Sequence, residues 1–149
     1  MSSATPEPFT KVAFELEKNE NGTKEVETLW AVPTDGGYRI DNIPFYVRGV
    51  AWGDIVSAMR DDGGQLNYVN LVTPSGHSTV RLWFAHASDV QAVRGALRAL
   101  GCDSELDLER LVAVDIPPEI RYSEITAFLE EKEKLGVLEY EEGCIGHER

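Results

Sequence analysis

Cysteine is scarce in this sequence, with only Cys102 and Cys144 in 149 positions. One thiol pair cannot make the stapled framework of a small secreted domain, and no CxxC pair exists to found a zinc site. Cys144 and His147 in CIGHER supply at most half of a metal site, so neither a metal nor a cofactor is expected. Long apolar runs are missing too; LVAV at 111–114 is among the longest and falls far short of a bilayer span, so no membrane association is expected. The start, MSSATPEPFT, has neither the basic residues nor the apolar stretch of a signal peptide. That predicts a flexible leader over 1–10 and a cytoplasmic protein with reduced thiols. Basic residues are the third shortage. Fourteen Lys and Arg stand against 26 Asp and Glu, a net charge of −12, which argues against binding nucleic acid through its phosphates. Such acidity keeps a chain soluble and, gathered on one face, speeds association with a basic partner.

What is present is a composition of 42% apolar and 27% charged residues, enough for one domain or two small subdomains sharing a core. KVAFELE (11–17) alternates Val12, Phe14 and Leu16 with polar neighbours, the period of a half-buried strand. ENGT (20–23) is a turn signal, and VETLWAV (26–32) reads as the next strand. TDGG and DDGG mark further turns before YRI and QLNYVNLV, while Pro44, Gly49 and Gly53 interrupt the long stretch 41–59. Asn42-Ile43-Pro44-Phe45 reads as a rigid turn that buries Phe45. Short strands at this spacing predict a small β-barrel-like or curled antiparallel sheet over 11–74.

The pattern changes after that point. STVRLWFA (78–85) alternates as a strand, and Val90, Val93, Leu97 and Leu100 then recur at helical spacing. Ser88 with Gln91 makes a capping-box pair, and Gly101 a stop. CDSEL and LVAVDIP read as strands around a DLER turn, with Pro117-Pro118 ending the second. Ser123 is the expected cap of a second helix carrying Ile125, Phe128, Leu129 and Leu135 up to Gly136, and VLEYEE is the last strand. Strand, helix, strand, strand, helix, strand is the order of a ferredoxin-like βαββαβ half, expected over 75–143 with a flexible tail at 144–149. The expected class is therefore α+β. In that sheet the open face should dock on the N-terminal strands and cover Trp83. Cys102 and Cys144 would belong to opposite edges, which excludes a disulfide.

The densest chemistry is SGHSTVR, residues 75–81. Alternation along a strand points His77, Thr79, Arg81 and Trp83 one way and Ser78 the other, so Ser78 and His77 are poorly placed as nucleophile and base. No G-x-S-x-G elbow exists, and no orienting acid is evident, so no catalytic residue is assigned and the balance is against an enzyme. Ser75, His77, Thr79 and Arg81, with Trp83 or Trp52 as a wall, could instead cradle an anion, although a turn held by hydroxyls and an arginine paired to a carboxylate is the simpler reading. Glu139, Tyr140, Glu141 and Glu142, in the last strand, are the candidate contacts for a basic protein.

LWAVP, DNIPFYVRGVAWGD, SGHSTVR, LGC, LVAVDIP and LEYEEGC, in that order, resemble the bacterial family catalogued as domain of unknown function 4265. The resemblance runs from about Lys11 to Cys144, with DNIPF and SGHSTVR its most specific pieces. It implies a small stand-alone bacterial protein and brings no mechanism. Two functions follow as expectations. The first is a non-enzymatic acidic module that masks a basic partner, in the manner of immunity proteins that neutralise nuclease toxins. The second is an anion-binding or enzymatic domain using SGHSTVR at the seam between the halves. Oligomeric state is not readable from these residues.

Overall fold

The computed structural model describes residues 9–16 and 25–148. The ENGT turn lies outside the described residues, as do residues 1–8 of the expected leader; Thr10 already belongs to a strand. Five strands, β1 (Thr10–Glu15), β2 (Val26–Thr34), β3 (Gly37–Ile40), β4 (Ile55–Arg60) and β5 (Leu66–Thr73), form a ring in that order. Successive pairs are antiparallel, and a short parallel contact of Val12 and Ala13 with Leu66 and Asn67 closes it. Inside, Val12, Phe14, Leu29, Ile40, Val56 and Leu66 make the core, with Phe14 stacked on Tyr68 at 4.7 Å.

The second sheet contains β6 (Ser78–Phe84), β7 (Asp103–Asp107), β8 (Leu111–Ile116) and β9 (Leu138–Cys144), ordered β7-β8-β6-β9 and antiparallel throughout. Helix α1 (Val90–Ala99) joins β6 to β7, and α2 (Tyr122–Lys134) joins β8 to β9. Both helices lie on one face. Val80, Leu82 and Phe84 of β6 and Val112, Val114 and Ile116 of β8 pack there against Val93, Leu97, Ile125 and Leu129. The expected α+β class with a ring-like first half is what the chain adopts.

Local signals succeeded unevenly. Gly101 (φ +97°) and Gly136 (φ +74°) stop the two helices in the left-handed backbone that glycine tolerates. The helix starts differ from expectation. A 3₁₀ turn at Ala87–Asp89 runs directly into α1 with no side-chain cap, so Ser88 and Gln91 form no capping box. Helix α2 starts at Tyr122 behind Arg121, again uncapped, so Ser123 lies inside it. Both starts rest on packed apolar residues, Val90 and Tyr122, and burial replaces the missing cap.

The connection 41–54 is the wedge between the two sheets. Val47 and Val50 enter the core of the ring. Glu27 of β2 holds the loop above them by accepting hydrogen bonds from the amides of Phe45 (2.7 Å), Tyr46 (3.0 Å) and Val47 (2.8 Å). The turn at 42–45 buries Ile43 and Pro44, whereas Phe45 is only partly covered. Gly49 N–H donates to the Gly143 carbonyl of β9 at 3.0 Å, and Arg48 reaches Glu141 at 3.0 Å. The open face of the second sheet thus docks on the N-terminal half. The residue it covers is Arg81, 1% exposed, while Trp83 remains 40% exposed near the far end of β6. The expectation that Trp83 needed cover is corrected by position: the wedge reaches the sheet beside Thr79 and Arg81, four and two residues short of it.

The C-terminal segment also departs from expectation. Gly146 N–H and His147 N–H both donate to the Ser78 hydroxyl, at 2.9 and 3.3 Å, and His147 Nε2 donates to the Pro117 carbonyl at 2.9 Å. Residues 144–148 are therefore pinned to the start of β6, and no free tail begins at Cys144.

Both cysteines are free, Cys102 beside edge strand β7 and Cys144 at the end of edge strand β9. Burial pushes the Cys102 thiol up to about 12 and the Cys144 thiol up to about 11. Little thiolate exists near neutral pH, and the thiolate is the nucleophile. Two thiols per chain should titrate with Ellman's reagent in denaturant without reductant, and both should react slowly in the native protein at pH 8. A count below two would show a disulfide.

Candidate functional site

SGHSTVR lies at the seam, where the two halves meet. Asp54, 2% exposed, accepts from Ala51 N–H (2.9 Å), Ser75 N–H (2.7 Å) and the Ser75 hydroxyl (2.8 Å). One buried carboxylate thereby ties the linker before β6 to the end of the wedge, and hydrogen bonding replaces the water it has lost. Ser75 Oγ in turn accepts from His77 N–H at 3.2 Å. No Ser75 hydroxyl is left to attack a substrate.

His77 turns its Nδ1 to Asp115 Oδ1 at 2.8 Å, and its ring lies 5.0 Å from that of Trp52. Burial raises the Asp115 carboxyl above its ordinary value, and the bond to His77 offsets part of that rise. A neutral His77 donating from Nδ1 keeps Nε2 as an acceptor, as in the base-and-orienter half of a triad. Ser78 pairs with a different histidine: its hydroxyl lies 2.6 Å from His147 Nδ1. Since His147 Nε2 donates to Pro117, Nδ1 accepts from Ser78. Ser78 is fully buried and also accepts two amides, so the pair is a structural clasp.

Arg81 passes under the wedge. Its Nη2 donates to the Val47 carbonyl, and Nη1 lies 3.5 Å from Glu141 Oε1. Desolvation lowers its pKa from the ordinary value, opposed by the neighbouring carboxylates Glu141 and Glu27. Among the described residues, only Thr79 Oγ1 and Arg81 Nε are buried side-chain polar atoms without a partner. Gly143 makes room for the guanidinium, since a Cβ there would come 2.7 Å from Arg81 Cζ.

The five residues expected to cradle an anion are therefore not gathered around one. Ser75 is held by Asp54, Thr79 and Arg81 are sealed inside the seam, and Trp83 is on the surface. Only His77 opens on a cavity. That cavity, about 480 Å³, runs along the seam between Asp41, Ile43 and Trp52 on the wedge and Arg98, Asp103, Ser104, Glu105, Asp115, Pro117 and Glu119 on the second half. Its lining is acidic. Strand alternation correctly separated His77 and Arg81 from Ser78, but the partners Asp115, Asp54 and His147 come from 38, 21 and 69 residues away, beyond any local pattern.

A larger concavity, about 770 Å³, lies beside α2 and edge strand β9. It is lined by Glu119, Arg121, Tyr122, Thr126, Glu130, Tyr140, Glu142, His147 and Glu148, among others. Tyr122 OH donates to Glu142 at 2.5 Å, and Tyr140 OH to Glu130 at 3.4 Å. Burial, then the Glu130 carboxylate, raises the Tyr140 pKa and keeps the phenol neutral. Of the four residues expected to meet a partner, Tyr140 and Glu142 line this groove, Glu139 is exposed on the strand, and Glu141 is held by Arg48 and Arg81.

These features define an α+β protein in which a five-stranded ring and a four-stranded sheet with two helices share a seam, with acidic hollows at the seam and at the sheet edge. The chain belongs to the family described as domain of unknown function DUF4265, whose profile matches residues 27–140. It is also similar to a solved structure described as the novel crystal structure of a hypothetical protein from Neisseria gonorrhoeae. The TM-score is 0.79 at 24% identity, covering 92% of this chain and 95% of that one. At that identity the likeness shows the fold alone. No curated protein matches the sequence. Among the described residues no helix is long and apolar enough to cross a membrane.

Proposed function

We propose that this protein is a non-catalytic binding module that docks a basic protein segment along the groove between α2 and β9. The observation that carries the reading is the groove itself. Glu119, Glu130, Glu142 and Glu148 line it against a single arginine, Arg121, and Tyr122 and Tyr140 add aromatic surface. Lysine and arginine side chains fit such a lining through charge and through contact with ring faces. The outer edge of β9 is already engaged, Tyr140 N–H by Glu133 and the Glu142 and Gly143 carbonyls by Arg48 and Gly49, so the segment docks through side chains rather than as an added strand. Masking of a basic toxin, as immunity proteins do, is one role in this class and accords with the net charge of −12. We read the second half as ferredoxin-like, a reading supported by the order β7-β8-β6-β9 with helices in the two crossovers.

The test is affinity capture from the native cell with two baits, the wild type and Glu130→Gln/Glu148→Gln. The expected result is a basic protein retained by the wild type, eluted by raised salt, and weakened at least about tenfold by the double variant. Retention that ignores both salt and the substitutions would overturn the reading.

A further inference from the structure

We propose that the seam cavity is a second binding site, and that its ligand is a small organic cation, an alkylammonium or guanidinium compound of metabolite size. The cavity, about 480 Å³, is within the range of small-molecule sites and lies where two halves of a fold meet, a common place for them. Its sign is set by Asp41, Asp103, Glu105, Asp115 and Glu119 against Arg98 and, when protonated, His77. This is opposite to what an anion would need.

Three details point to a ligand beyond the charge. Asp115 is 7% exposed, and its Oδ1 holds His77, while Oδ2 accepts no hydrogen bond from any described residue. That oxygen is not among the buried atoms left without a partner, so it opens on the cavity and its water, where an ammonium group takes the place of water as its donor. His77 is fixed through Nδ1, and its Nε2 likewise has no partner among the described residues. Trp52 stands 5.0 Å from the His77 ring and lines the same cavity, supplying an aromatic face of the kind that organic cations prefer. Among the described residues, no three histidine, cysteine or carboxylate side chains converge to hold a metal ion. The charge is spread around the void, which suits a cation with length or diffuse charge better than a point ion. Burial raises the Glu105 carboxyl as well as that of Asp115, and a seated cation would draw both back down.

The test is an amide and indole NMR titration of the whole protein with spermidine, putrescine and L-arginine, and with inorganic phosphate as the opposite probe. At least one cation should give saturable shifts in the millimolar range or tighter, concentrated at the Trp52 indole, His77, residues 103–105 and Asp115. Asp103 and Glu105 are exposed on edge strand β7, so Asp103→Asn/Glu105→Gln should keep the fold and weaken binding about tenfold. The groove variant Glu130→Gln/Glu148→Gln should bind the cation as the wild type does, which separates this site from the protein-docking groove. No saturable shift with any of the three cations would overturn the proposal. So would shifts scattered over the surface and indifferent to Asp103→Asn/Glu105→Gln, or saturation by phosphate.

Discussion

Replacing Arg81 with alanine is expected to lower unfolding free energy by about 3–5 kcal/mol, the range for emptying the space of a large buried side chain and stranding its buried partner. The arginine is 1% exposed and joins three separate parts of the chain. It stands on β6, donates to Val47 of the wedge and faces Glu141 of β9. Alanine leaves the Val47 carbonyl without its donor and opens a void in the seam. Arg81→Met fills most of that volume without a charge to desolvate, so its loss should be smaller than that of alanine. Gly143→Ala attacks the same contact from the other side, because its Cβ would lie 2.7 Å from Arg81 Cζ and 2.8 Å from Nη1. Overpacking of that kind costs about 1–3 kcal/mol. In an Arg81→Met background the clash should be largely relieved, and the non-additivity measures the coupling. Urea unfolding at constant slope reads all four variants. If Arg81→Ala moved the midpoint no more than an ordinary surface change, the seam would not depend on this residue.

Gly146→Ala is expected to be comparably severe for a different reason. A Cβ at 146 would sit 2.3 Å from the His77 carbonyl oxygen and 2.8 Å from Gly76 C, which are backbone atoms with no rotamer to escape into. The C-terminal segment must lift away, and the Ser78 hydroxyl then loses the amides of Gly146 and His147 together with the His147 ring. Ser78→Ala removes the same bonds without the clash and should cost about 1–3 kcal/mol, the penalty for stranded buried partners. Gly146→Ala should exceed it, at about 3 kcal/mol or more, and lower the thermal midpoint by roughly 6–12 °C for a chain of this size. Amide exchange at residues 145–148 should accelerate in both variants. Wild-type protection there with an unchanged midpoint would mean that the segment does not hold the seam.

The two hollows differ in what they ask of the sequence. The groove at β9 uses residues near one another in the chain's last third, and Tyr140 with Glu142 was visible as an acidic, aromatic strand end. The seam cavity draws on residues from 41 to 119, and its sign reverses what SGHSTVR suggests when read alone. Arg81, the cation of that motif, is consumed inside the seam, so the open chemistry is left to His77 and the carboxylates around it.

The sequence by itself determined the strand and helix order of the second half, four of the ring's five strands (β4 lay unread inside 41–59), the switch near residue 75 from closely spaced strands to alternating strands and helices, the glycine stops, and the apolar face of β6. Each follows from period and turn chemistry, which act over a few residues. Membership in the family was also legible, because motif order survives without knowledge of contacts. Tertiary structure alone decided which polar groups meet. Burial at the seam gave Arg81 to Val47 and Glu141, His77 to Asp115 and Ser78 to His147, since a polar group removed from water takes whichever partner the fold brings within reach. Packing also overrode the two expected helix caps and fastened the C-terminal segment. The alternation of side chains along SGHSTVR was readable; the site it opens on was not, because a cavity belongs to the space between distant segments.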